Sequence, residues 1–114
     1  MQRYLFLVLY FLSFPLIGQV EIQKGYFEFP IKPGQVNYLT GSMGELRANH
    51  FHAGIDIKTD FNIGLPVYCS ADGFVSRVRI SSFGYGKVVY VTHPNGLTTV
   101  YAHLHEFSKE IAGK

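Results

Sequence analysis

The chain has 114 residues, room for one small domain, and its 47% hydrophobic and 16% charged content excludes a disordered protein. A formal net charge of +2 with no basic run excludes nucleic acid as a charge-recruited partner, and a single cysteine excludes an intrachain disulfide. Twelve glycines, eight tyrosines and ten phenylalanines favour strands and tight turns.

Residues 1–19 read as a secretory signal. Arg3 supplies the positive end, residues 4–17 form an apolar stretch broken only by Ser13 and Pro15, and Gly18 offers a small residue for cleavage. A spanning helix needs about 20 apolar residues, so the stretch is short for an anchor, and the mature chain is expected outside the cytoplasm, free of the membrane. Residues 20–43 carry Gly25, Pro30, Pro33 and Gly34 among scattered aromatics, and read as an extended lead-in without a period. A polar, glycine-containing loop occupies 41–49.

Short strands follow. Residues 54–58 leave a histidine-rich loop, and 66–70 form the next strand before Ala71-Asp72-Gly73 turns the chain. Cys69 falls in that strand and reads as a small buried hydrophobe. Residues 74–80 alternate, with Phe74, Ser76, Val78 and Ile80 on one face and Val75, Arg77 and Arg79 on the other. A glycine loop at 81–86 leads to a β-branched run at 87–92. Asn95-Gly96 predicts a type I′ hairpin turn, which needs positive φ at both central residues, and 97–103 is the returning strand. The polar tail, 106–114, starts a helix or a loop.

Four of the five histidines fall in two pairs near strand ends, His50 with His52 and His103 with His105. In His52-Ala53-Gly54-Ile55-Asp56 an imidazole and a carboxylate, both suited to zinc, stand four residues apart. A straight strand would separate them by about 13 Å, too far to share one ion comfortably, so the backbone must bend between them, and Gly54 bends at low cost. The plainer alternative is a surface histidine and a turn aspartate. On a strand, His103 and His105 share a face with Leu104 turned inward, so His52, Asp56, His103 and His105 together make a plausible complete zinc site. Two solvent-facing histidines are the alternative there.

The order of these pieces resembles the lysostaphin-type (LytM-like) zinc metallopeptidases of peptidoglycan. The resemblance runs from about Gly44 to Leu104. It is carried by His52-Ala53-Gly54-Ile55-Asp56, Gly64-Leu65-Pro66-Val67-Tyr68, Ala71-Asp72-Gly73-Phe74-Val75, Gly84-Tyr85-Gly86-Lys87-Val88-Val89, His93-Pro94-Asn95-Gly96 and Thr99-Val100-Tyr101-Ala102-His103-Leu104. The resemblance implies a mainly β fold, an antiparallel sheet or β-sandwich of the duplicated hybrid motif, incomplete at its C-terminal end, with residues 44–114 as a partial zinc metallopeptidase domain. It also implies that His52 and Asp56 are the first two Zn2+ ligands. His103 is then a catalytic residue that orients water or stabilises the transition state without binding metal. The third ligand belongs to a later His-x-His motif that is absent from this sequence, so His103-Leu104-His105 is a decoy for it and the chain is expected to be an inactive fragment. Arg47, Asn49 and Tyr85 are expected to border a groove for a peptidoglycan peptide. With the export signal, the expected location is the periplasm, the cell envelope or the extracellular space. An inactive relative that binds the wall or activates an amidase is the alternative function, and the oligomeric state is left open.

Overall fold

The computed structural model describes residues 21–113, so the expected signal segment, 1–19, lies outside the described residues. Two antiparallel sheets account for nearly all regular structure. The smaller pairs β1 (Leu39–Gly41) with β2 (Asp56–Ile57), and the larger has the order β3 (Phe74–Ile80), β4 (Lys87–Thr92), β5 (Thr98–Tyr101). One helical turn, α1 (Lys109–Ala112), falls in the polar tail. The strands that composition and periodicity favour, and the antiparallel, mainly β architecture that the resemblance implies, are therefore observed. No helix among the described residues is long and apolar enough to cross a membrane.

The core lies along β4. Its position between two neighbours buries Val88, Val89 and Val91, and the β-branched side chains suit a strand enclosed on both faces. At its end His93 is only 3% exposed. Nδ1 of His93 donates to the carbonyl of Asp72 (2.8 Å), and Nε2 lies 2.8 Å from the hydroxyl of Thr99. That hydroxyl lies 2.8 Å from the Tyr101 hydroxyl, which accepts the Ser70 N–H at 2.8 Å. The Phe27 ring meets His93 edge-on at 5.1 Å. This chain of bonds ties the hairpin to the 70–72 turn and to the lead-in segment.

Several strand expectations need correction. The segment 74–80 is a strand, but all seven residues are exposed and the alternation fails at Ser76. There the register slips between Val75 and Arg77, a bulge in which Ser76 has no partner across β4. The Ser76 hydroxyl, 2.9 Å from that of Thr92, takes up the irregularity. The hairpin turn is not type I′. Gly96 N–H donates to the His93 carbonyl (2.9 Å), so Pro94 and Asn95 are the central residues and only Gly96 has positive φ. Proline fixes φ near −65°, which favours a type I turn followed by a left-handed glycine. The returning strand stops at Tyr101 rather than at 103, because His103 turns left-handed at φ 57°.

Residues 66–70 form no strand, although Tyr68 N–H donates to Pro30 and Glu28 N–H to Ser70, each at 2.8 Å. Pro30 and Pro66 lack the N–H groups a continuous ladder needs. Cys69 is exposed, not buried, because this segment runs along the surface with Pro66, Val67 and Tyr68 also exposed. The expected strand at 54–58 contracts to β2, and the lead-in, read as extended but without a period, contributes β1.

Candidate metal centre

The geometry around His52 is built by a tight loop. Gly44 N–H donates to His52 O (2.7 Å), His52 N–H to Glu45 O (2.8 Å) and Arg47 N–H to His50 O (2.9 Å), with Leu46 and Phe51 bridged between them. Antiparallel pairing puts Glu45, Arg47, His50 and His52 on one face and leaves Leu46 and Phe51 on the other, where both are exposed. The chain then bends at Gly54 before entering β2, which pairs Asp56 opposite Gly41 of β1. The bend expected between the two candidate ligands is present.

It brings His52 Nε2 to 3.2 Å from Asp56 Oδ1. Nδ1 of His52 is 3.0 Å from the carbonyl of Ser42. A carbonyl only accepts, so Nδ1 carries the hydrogen and Nε2 is the nitrogen left with a lone pair in the neutral ring. An Nε2 lone pair and a carboxylate oxygen facing one another require either a second proton on the ring or a cation between them. Zinc bonds of about 2.0–2.1 Å at a tetrahedral angle separate two ligand atoms by about 3.3–3.4 Å, close to what is seen here. Anchoring the second imidazole nitrogen on a backbone carbonyl is also the usual arrangement of a metal-bound histidine. The donor pair therefore fits a divalent metal. Among the described residues no group of three His, Cys, Asp or Glu side chains forms a metal-holding cluster, so His103 and His105 stand outside this pair.

The other Asp56 oxygen is occupied. Arg47 Nη2 donates to Asp56 Oδ2 at 2.6 Å and to Glu45 Oε2 at 3.1 Å. Asn49, at the tip of the loop, holds the His50 ring through its amide oxygen (2.6 Å). Tyr85 and His103 meet through the backbone, where His103 N–H donates to the Tyr85 carbonyl at 2.9 Å. Leu104 N–H donates to Lys87 O (3.0 Å) and Lys87 Nζ to His105 O (2.6 Å), which keeps the chain beyond β5 alongside the start of β4. The left-handed backbone at His103 breaks the strand alternation, so His103 and His105 do not present a common strand face.

Two contributors escaped the sequence. Ser42 acts through its carbonyl, which leaves no side-chain signature. Gly41 stands beneath the Asp56 and Arg47 side chains, and its only sequence trace is the glycine that opens the 41–49 loop.

A tethered imidazole thus stands opposite a carboxylate on a frame of antiparallel strands. The family model for peptidase family M23 matches residues 50–114, and the chain belongs to that family. It is 35% identical over 97 residues to the DD-carboxypeptidase/endopeptidase Mpg of Neisseria meningitidis serogroup B and of Neisseria gonorrhoeae, covering 81% of this chain and 21% of theirs. An uncharacterized metalloprotease of Haemophilus influenzae is 30% identical over 94 residues, covering 82% of this chain and 17% of that protein. The chain thus spans about a fifth of the length of these curated relatives. No solved structure matches it.

Proposed function

We propose that residues 44–114 are part of a zinc endopeptidase domain that hydrolyses peptide cross-links of bacterial peptidoglycan, preceded by the lead-in at 20–43 and exported to the cell envelope by the signal at 1–19. The observation that carries this reading is the 3.2 Å approach of His52 Nε2 to Asp56 Oδ1, with Nδ1 held by Ser42. Membership of family M23 and similarity to proteins named endopeptidase and metalloprotease support it.

His52 Nε2 and Asp56 Oδ1 would hold the ion, with a third ligand from outside the described residues. Bound zinc supplies Lewis acidity and a water ionising near about pH 7. The Ser42 carbonyl keeps the His52 ring from rotating. His103 donates to the charge developing on the scissile carbonyl oxygen or relays a proton to the departing amine. An extended wall peptide lies along exposed strand edges, bordered by Arg47, Asn49 and Tyr85.

The test is zinc content of the purified intact protein together with mass-spectrometric analysis of peptidoglycan it has digested. His52→Ala and Asp56→Ala are each expected to lose both zinc and product. Full zinc retention by His52→Ala contradicts the assignment. A metal-free protein that binds wall without cutting it replaces the enzyme with the inactive wall-binding or amidase-activating module.

A further inference from the structure

The two oxygens of Asp56 have different partners, and the carboxylate sits over a position that carries no side chain. Oδ1 faces His52 Nε2 at 3.2 Å, and Oδ2 accepts from Arg47 Nη2 at 2.6 Å. Directly across the β1–β2 pair is Gly41, which is buried. A Cβ at residue 41 would overlap Asp56 Oδ2 and stand 2.7 Å from Arg47 Nη2 and 3.0 Å from Asp56 Cγ. The φ of Gly41 is not left-handed, so what glycine provides here is space rather than backbone freedom. Glu45 holds the same guanidinium nitrogen from its other side at 3.1 Å.

We propose that Gly41 and Arg47 form a seat for the Asp56 carboxylate, turning Oδ1 toward the metal position and holding Oδ2 away from it. The inference rests on the zinc reading of His52 and Asp56 given above. It makes Arg47 a positioning residue. A carboxylate on a short side chain rotates about its last bond and can offer either oxygen, or both, to an ion. Engaging one oxygen in a short charge-assisted bond leaves a single ligand atom in a fixed direction. Arg47 does not stand in the metal's place, since it contacts the oxygen that His52 does not face.

A competitor role and a seat predict opposite signs, which makes the test direct. Zinc affinity of the intact protein is measured by competition with a chromophoric chelator, alongside the visible absorption of the cobalt(II) form. The variants are Arg47→Ala, Arg47→Lys and Gly41→Ala, and the melting of each metal-free protein checks folding. Arg47→Ala is expected to weaken zinc binding about 10–100-fold, the range found for partners of metal ligands, with an altered cobalt(II) spectrum. Arg47→Lys should recover part of the loss, because it restores the charge without the fork. Gly41→Ala should weaken binding while leaving metal-free melting little changed, since the atoms it displaces are the ends of side chains. Should Gly41→Ala fail to fold, the two Arg47 variants decide alone. Unchanged affinity in Arg47→Ala beside a zinc-binding wild type overturns the seat and leaves the zinc reading standing. Tighter binding in Arg47→Ala overturns it in favour of a competitor. A wild-type protein that takes up no zinc overturns both.

Discussion

Replacing His93 by leucine tests the claim that a buried polar relay holds the larger sheet to the rest of the chain. Leucine fills a similar volume but makes neither of the two 2.8 Å bonds, to the Asp72 carbonyl and the Thr99 hydroxyl. Each such bond contributes about 0.5–1.5 kcal/mol net, and the edge-on contact with Phe27 adds about 0.5–1.5 kcal/mol. Apolar burial of the leucine offsets part of the loss. Thr99 keeps its contact with Tyr101, so its hydroxyl is not stranded. The expected net cost is about 1–3 kcal/mol, read from urea unfolding followed by circular dichroism. Tyr101→Phe, which removes the acceptor of the Ser70 N–H, should be destabilising too, and the double variant should cost less than the two singles combined because both act through Thr99. A His93→Leu protein within about 0.5 kcal/mol of wild type would refute the relay and mark His93 as a passive core residue.

His103 carries a left-handed backbone and an exposed side chain, so its two roles separate. His103→Gly is expected to be more stable than His103→Ala by about 1 kcal/mol in thermal unfolding, because only glycine takes that φ without strain, while both lose hydrolysis. Equal stability of the two would remove the strain argument. Gly73→Ala is expected to cost about 1–3 kcal/mol, since its Cβ would stand 2.5 Å from the Thr92 carbonyl oxygen, a backbone atom that cannot move aside cheaply. A Gly73→Ala protein that melts with the wild type would show that the 72–74 turn yields more readily than this contact implies.

The parts of the fold legible in the sequence are those governed by short-range rules. The valine-rich run at 87–92 announced β4 at its true ends, and the 74–80 segment announced β3, because both depend on residue type and pattern. The alternation within β3 misled, because a bulge at Ser76 is fixed by pairing with β4 rather than by the strand's own sequence. The Asn95-Gly96 signal located a turn but not its type, because Pro94 moved the centre one residue earlier. In the candidate site, spacing alone left open whether His52 and Asp56 approach one another, and the resemblance implied the approach that Gly54 permits. The Arg47–Asp56 bond spans nine residues and the Ser42–His52 bond ten, and both depend on how the loop folds back on β1. The kink at His103 had no signal, since it arises where the chain leaves β5 and is held by the carbonyls of Tyr85 and Lys87.

The proposed metal pair and His103 are held by different frames, and that separates two properties usually measured together. His52 and Asp56 are positioned by Ser42, Gly41, Arg47 and the Gly54 bend, all within residues 41–56. The frame beneath them is a two-stranded sheet of three and two residues, which is marginal by itself. A cation bridging the imidazole and the carboxylate would order that frame as it binds, since ligands that bind only the folded arrangement stabilise it. His103 instead hangs from β4 and β5, whose valine core and His93 relay are complete without metal. Damage to the relay should therefore misplace His103 while the pair continues to bind zinc, and damage to the seat should release zinc while the β3–β4–β5 sheet stays folded. Zinc content reports on the first frame and the placement of His103 on the second, so loss of hydrolysis alone assigns a fault to neither.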